Sequence, residues 1–248
     1  LKTDVLSELP EKNEIVMTAD MTEEQSRIYS AEVMSLKQQF ADTEDSGSGR
    51  MKIEILAGLT RLRQICCDPS VVYEKYSGGS AKLELCVELA ESSANAGHKI
   101  LLFSQFTSML SIIGKRLEAA GLKTVSLTGA TPPSKRQELV NRFNSDDTDV
   151  FLISLKAGGT GLNLTGADIV IHFDPWWNIS AENQASDRAY RIGQKNNVTV
   201  YKLIAKGTIE EKIRELQSAK SELADSLIGT DGGGIAAMSR EDLMSLFG

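Results

Sequence analysis

Short uninterrupted apolar runs alternate with amphipathic stretches along most of the chain. Lys99–Gln105, which contains Ile100–Phe103 (ILLF), and Val150–Ser154 read as buried strands, and Thr124–Thr128, Asp168–Phe173 and Val198–Ala205 as further strands. Helices are predicted between them: Thr107, as cap, to Ala120, closed by Gly121; Pro132-Pro133 to about Asn144; Ser180–Ile192; and a long amphipathic Thr208–Ile228. Strands alternating with helices in this way predict a parallel sheet covered by helices on both faces. Upstream, after a short strand, the spacing turns helical. Thr22-Glu23-Glu24-Gln25 predicts an N-cap with a capping-box partner, opening a helix to about Phe40. Met51–Cys67 carries Ile55, Leu59, Leu62 and Ile65 at helical spacing and stops before Pro69. Polar Asp42–Arg50 reads as a break, Ser77-Gly78-Gly79-Ser80 as a linker, and Gly232-Gly233-Gly234 as a hinge before the apolar Leu243–Phe247.

Composition adds bounds rather than a function. The 248 residues are 41 % apolar and 25 % charged, which suits a folded chain with a sizeable core. No apolar run approaches the roughly 18–20 residues of a membrane span, and the charged, mixed start is not expected to be a signal peptide. Leu1 suits a segment of a longer protein. Three cysteines, Cys66, Cys67 and Cys86, argue against a disulfide framework and for a reducing compartment. His98 and His172 show no metal-ligand spacing. The net charge of −7 is uneven: residues 1–45 carry four basic and eleven acidic side chains, whereas residues 99–145 carry seven basic and two acidic ones. The local field of that second stretch leaves room for a nucleic-acid face, although charges that simply solvate helices would give the same composition.

Ligands bind at the carboxyl ends of strands in an open parallel sheet, and the unusual residues concentrate there. After Val150–Ser154 comes Leu155-Lys156-Ala157-Gly158-Gly159-Thr160-Gly161-Leu162-Asn163-Leu164-Thr165. Glycines permit left-handed backbone and close approach, and successive N–H groups can cradle a phosphate or carboxylate; a plain strand-to-helix turn would also use them. After Asp168–Phe173 comes Asp174-Pro175-Trp176-Trp177-Asn178. Two adjacent tryptophans cannot both point inward from an extended segment, so one is expected to be exposed as a stacking residue. Gln184, Arg188 and Arg191, at spacings of four and three on the Ser180–Ile192 helix, would share one face. Guanidinium groups there suit phosphate through bidentate bonds, or salt bridges to Glu182 or Asp187. The phosphate floor is not in the sequence: the one Gly-Lys pair, Gly114-Lys115, lacks the Walker A pattern. Asp174 is followed by Pro175 and is read as a positioning residue rather than a magnesium ligand. G-G-x-G differs from the G-x-G-x-x-G of dinucleotide enzymes, which disfavours a small-molecule enzyme.

Taken in order, Lys99–Gln105 (KILLFSQ), Leu127-Thr128-Gly129-Ala130-Thr131, Ile153–Thr165 (ISLKAGGTGLNLT), Phe173–Asn178 (FDPWWN) and Asn183–Gln194 (NQASDRAYRIGQ) resemble the Swi/Snf family of DNA-dependent ATPases in helicase superfamily two. The likeness is to the second RecA-like lobe, and it extends to Leu62-Arg63-Gln64-Ile65-Cys66 upstream and Tyr201–Ile209 (YKLIAKGTI) downstream. Asp4-Val5-Leu6 and Leu9-Pro10-Glu11-Lys12 look like the junction after the first lobe.

The resemblance implies an α/β fold of the P-loop NTPase type, a parallel sheet sandwiched by helices. It implies a junction over 1–21, a helical protrusion and linker over 22–80, the RecA-like lobe over 81–207, and a brace helix and tail over 208–248. Arg188 and Arg191 would be arginine fingers reaching ATP, whose magnesium is held mainly by the first lobe; Gly159, Gly161 and Gln184 would line the same cleft. Ser104, Gln105, Thr128, Gly129, Lys156, Trp176, Trp177 and Asn178 would track double-stranded DNA, mainly through phosphates. Lys156 stands where many members have Arg, and Tyr190 where many have His. The partners implied are duplex DNA, the N-terminal lobe of the same protein and a DNA-bound protein substrate, with no membrane. The compartment would be cytoplasmic and nucleoid-associated in a bacterium, nuclear in a eukaryote. The competing reading is a stand-alone nucleic-acid-binding regulatory module without ATP hydrolysis.

Overall fold

The buried apolar runs Ile100–Phe103, Val150–Ile153 and Ile169–Ile171 become strands of one sheet. The computed structural model describes residues 10–41, 49–155, 157, 161–223 and 244–247. In chain order the elements are β1 (Lys12–Ala19), α1 (Glu23–Ala41), α2 (Gly49–Cys67), a 3₁₀ turn (Pro69–Val71), α3 (Ala81–Asn95), β2 (Ile100–Ser104), α4 (Thr107–Ala119), β3 (Thr124–Leu127), α5 (Pro133–Ser145), β4 (Val150–Ser154), β5 (Ile169–His172), α6 (Ile179–Ser186), β6 (Val198–Ala205) and α7 (Ile209–Leu223). The strands form one sheet in the order β1-β6-β5-β2-β4-β3. Pairing is parallel across β6-β5, β5-β2, β2-β4 and β4-β3, with Ile100 beside both Val150 and Ile169. The bonds Val198 N–H to Glu11 O (2.9 Å) and Lys206 N–H to Ala19 O (2.9 Å) keep one offset, so β1 runs parallel to β6 as well. Every residue of β2, β4 and β5 is buried, as a sheet covered on both faces requires.

Two compact units divide the chain, and each is assembled from separated segments. The sheet unit takes in Leu83–Asp174, Ser180–Leu203 and the chain up to Met17; the helical unit takes in Thr18–Lys82, Pro175–Ile179 and the chain from Ile204. In the sheet unit α4 packs its buried Met109, Leu110, Ile113 and Leu117 against β2, β3 and β4. Gly121, at φ +86, ends that helix as expected, because its N–H turns back to Glu118 O at 3.0 Å. The cap at the other end is not Thr107, which is already helical; Phe106 is the cap residue and makes no side-chain cap bond.

The helical unit closes around Tyr29, Leu36 and Phe40 of α1, Ile55, Leu59, Leu62 and Ile65 of α2, and Ile209 and Ile213 of α7. Leu246 and Phe247 join this core, with Phe247 stacked on Phe40 at 5.9 Å. The apolar tail is therefore a core element, while Leu243 and the triple glycine lie outside the described residues. Thr22 Oγ1 does accept the Gln25 N–H at 3.2 Å, but the reciprocal half of the capping box is not formed. The Gln25 amide is buried and donates instead to Ile65 O at 2.8 Å, because α2 there presents carbonyls that need a partner. The expected linker is also tied down: Ser80 is buried and donates to Cys67 O at 2.6 Å. Most of the expected 42–50 break and the end of the long helix beyond Leu223 lie outside the described residues.

His172, at the end of β5, is fully buried and shares a 2.9 Å hydrogen bond with Ser186 Oγ. Burial, reinforced by the Lys202 charge, pushes its pKa from 6.5 down to about 3. The unfolded chain therefore binds a proton between these values that the folded chain refuses. Stability from this group is present above pH 6.5 and is lost as pH falls toward 3, at up to about 1.4 kcal/mol per pH unit. Denaturant midpoints at pH 7 and 4.5 are expected to converge partly in His172→Gln; an unchanged gap would rule the histidine out as its source.

Candidate functional site

Side-chain hydrogen bonds stitch the carboxyl ends of the strands together. Asp174 is fully buried and accepts from Ser104 Oγ and from the Gln105 N–H at 3.3 Å. Ser104 Oγ accepts from the Phe106 N–H (3.1 Å), its carbonyl accepts from the Leu155 N–H (3.1 Å), and Ser154 Oγ accepts from the Ala157 N–H (3.3 Å). Asp174 thus joins the exit of β2 to that of β5. Ser104, expected on the DNA face, is fully buried, so its hydroxyl serves this joint rather than an exterior contact.

Beyond this edge lies a cleft of about 460 Å³, lined by Gly161, Leu162, Gln184, Asp187, Arg188, Tyr190 and Arg191. Gln184, Arg188 and Arg191 do meet there, but not on one helix. Helix α6 ends at Ser186, and a series of tight turns carries Arg188 and Arg191. Gln194, which carried no expected role, explains the turn. Its buried amide donates to Thr165 O (3.3 Å), Ala167 O (2.7 Å) and Ala189 O (3.0 Å), and its carbonyl accepts the Lys195 and Asn196 N–H groups at 2.8 and 2.9 Å. Gly193 at φ +103 permits the reversal. Leu164 N–H bonds to Arg188 O at 3.1 Å, so the glycine-rich loop and the arginine turn are one construction.

Arg188 is the chemically unusual group. It is only 8 % exposed, and its Nε and Nη1 have no hydrogen-bond partner among the described residues. Burial lowers its pKa, yet an arginine starts so high that it stays charged. A buried cation without a counter-charge is costly, and an anion entering the cleft would relieve it. Arg191 is exposed, with one 3.4 Å bond to Gly161 O. No ion pair holds either guanidinium among the described residues, which excludes the salt-bridge alternative to Glu182 or Asp187. Gly161 is exposed and not left-handed, and a Cβ built on it would meet open space. Its small size therefore leaves room in the cleft wall rather than permitting a strained turn. Gly159 and Lys156 lie outside the described residues.

The other expected contacts fall in two places. In the sheet unit, Thr128 and Gly129 form a turn closed by Thr128 N–H to Thr131 Oγ1 (3.0 Å), just before α5; Gly129 is exposed. Gln105 is half-buried beside the Asp174 joint. In the helical unit, Trp176, Trp177 and Asn178 are all half-buried. Trp177 packs on the helical core and under the Arg63 guanidinium, 5.7 Å from its ring centre, while Arg63 Nη2 donates to Pro175 O at 2.5 Å. Trp176 O accepts from the Gln217 amide. The sequence predicts one exposed tryptophan, but both are half-buried, and Trp177 is covered by Arg63 of α2, cover that no neighbour in sequence could supply.

A parallel sheet sandwiched by helices, with arginines at a strand-end cleft, defines a RecA-like helicase lobe. Residues 81–193 match the helicase conserved C-terminal domain, and residues 1–71 match the SNF2-related domain. A SWI2/SNF2 ATPase C-terminal domain from Sulfolobus solfataricus is 31 % identical, with a TM-score of 0.77 over 95 % of this chain and 98 % of that one. The Sulfolobus solfataricus SWI2/SNF2 ATPase core in complex with dsDNA is 33 % identical, with a TM-score of 0.80 over 98 % of this chain and 52 % of that one. A protein named "Uncharacterized ATP-dependent helicase" from Mycoplasma pneumoniae is 36 % identical over 251 residues, 99 % of this chain and 24 % of its own length. The chain belongs to the SWI2/SNF2 family of helicase-type ATPases, as its C-terminal lobe. It spans about a quarter of the length of the curated relatives it matches.

Proposed function

We propose that this chain is the C-terminal lobe of an ATP-dependent double-stranded-DNA translocase, and that Arg188 and Arg191 bring positive charge to ATP phosphates held by an N-terminal lobe. The observation that carries this reading is the Arg188 guanidinium, buried at the cleft with two nitrogens unpaired among the described residues. A triphosphate fits that need: guanidinium N–H groups match phosphate oxygens, and the charge is opposite. Gln184 and Gly161 complete the wall, and magnesium would be held mainly by the first lobe, since Walker A is not among these residues. The Thr128–Gly129 turn just before α5 suits a DNA phosphate, together with Gln105, Lys156 and the Trp176–Asn178 segment; Ser104 acts behind that surface by holding Asp174. Contacts of this kind are to the backbone, so binding would be largely independent of base sequence and sensitive to salt. Closure of the two lobes on ATP would then move the protein along duplex DNA, against a DNA-bound protein or past it.

The test is ATP turnover by the full-length protein with and without duplex DNA, beside the isolated 248-residue chain. Stimulation by duplex in the full-length protein, none in the isolated chain and weak, salt-sensitive DNA binding by the isolated chain are expected. Turnover by the isolated chain would place the phosphate floor within it and overturn the division of labour. A full-length protein that binds DNA but never consumes ATP would favour a regulatory binding module.

A further inference from the structure

The cleft contains an acid that its own chemistry should not tolerate. Asp187 lines the wall between Gln184 and Arg188. A carboxylate there has two harmful options: it can pair with a guanidinium and withdraw it from phosphate, or it can repel the phosphate itself. Neither guanidinium is in an ion pair among the described residues. The Asp187 carboxylate turns instead to Lys12 of β1, with Nζ 3.6 Å from Oδ1. The same ammonium lies 5.9 Å from the centre of the Tyr190 ring, which is also part of the wall. Lys12 has a second acid at hand, Glu14 at 3.6 Å, but Glu14 is claimed more closely by Lys202 at 2.9 Å. The Lys12 side chain is 20 % exposed while that of Asp187 is 57 % exposed, so the wall fixes the lysine and the lysine fixes the acid.

We infer that Lys12 is a positioning residue for the arginine cleft: it neutralises Asp187 and holds that carboxylate off Arg188 and Arg191, keeping both guanidiniums available to an anionic ligand. This inference rests on the reading of the cleft as an ATP phosphate site. It gives a job to Lys12, the first residue of the edge strand β1. A charge placed this way acts on bound substrate and transition state alike, so it should govern KM rather than kcat.

Steady-state ATP turnover is measured in the full-length protein with saturating duplex DNA. Lys12→Met keeps the apolar stem and removes the charge. It is expected to raise KM for ATP about fivefold, the size of one added unit charge acting through a half-hydrated wall, with kcat within twofold of wild type. Lys12→Arg restores KM. Asp187→Asn added to Lys12→Met also restores KM, because the acid that needed neutralising is gone. An unchanged KM in Lys12→Met overturns the inference. So does a raised KM that Asp187→Asn fails to rescue, since that is the mark of a lysine needed only to seat the edge strand. Failure of the parent reading looks different: Arg188→Ala would then turn over ATP at the wild-type rate whatever residue stands at position 12.

Discussion

Arg188→Ala in the full-length protein is expected to lower kcat for ATP by about 10³-fold or more while duplex binding persists. The magnitude follows from what an arginine placed against a transferring phosphoryl group contributes in related systems, roughly 10³–10⁵ in turnover. The side chain is buried, so charge it offers to the transition state is little screened by water. Arg188→Lys should recover only a small part, because an ammonium supplies a point charge where a planar fork is needed. The stability readout separates this role from a structural one. An arginine that braced the fold would leave orphaned partners behind when removed, and Tm would fall. Arg188 has two nitrogens without partners among the described residues, so alanine removes an uncompensated buried cation and Tm should hold or rise. Near-normal kcat, or a folded state lost with the side chain, would contradict the assignment.

What could be read from the chain depended on whether the cause was local. Strands β2, β4 and β5 were legible because a doubly covered strand must be apolar at consecutive positions, as ILLF and VFLI are, and their short length fits strands rather than helices. The end of α6 was not. Nothing between Ser180 and Ile192 is a helix breaker; the chain turns because Gln194 bonds carbonyls on both the arginine turn and the glycine-rich loop. Arg188 and Arg191 were found through residue type and motif, but the geometry expected for them was that of a helix that stops short. Gln25 departs in the same way: its amide turns inward so that Nε2 donates to Ile65 O, forty residues away, and Oε1 does not reach back to the cap. Ser104 and Trp177 illustrate the ambiguity of polar and aromatic residues at strand ends, where a ligand contact and an internal joint need the same side chains. The Lys12–Asp187 pair joins residues 175 positions apart, and no periodicity reports such a pair. The division into units was hidden too, because the chain passes through each unit more than once.

Breaking the Lys82–Glu210 pair is expected to destabilise the fold strongly. Lys82 Nζ lies 2.5 Å from Glu210 Oε1, and the side chains are 1 % and 0 % exposed. Glu210 Oε2 also accepts the Ala205 N–H at 2.8 Å, and Cys67 Sγ lies 3.8 Å from the ammonium. Burial alone disfavours the Lys82 charge, yet the neighbouring Cys67 sulfur and Glu210 carboxylate hold its pKa above the usual lysine value. The pair ties the start of α3 to the first turn of α7, both within the helical unit. Lys82→Met removes the ammonium that lies 2.5 Å from a buried carboxylate, a change that costs about 3–5 kcal/mol. For a chain of this size that corresponds to a fall in Tm of roughly 6–20 °C. Lys82→Met combined with Glu210→Leu should recover much of the loss, since an apolar pair of similar volume asks for no desolvation; the Ala205 N–H left without its acceptor sets the remainder at about 1–3 kcal/mol. A double variant as unstable as Lys82→Met alone would mean that the lysine stem, and not the charge pair, holds these helices together. A single variant with unchanged Tm would show that water reaches the site and solvates Glu210.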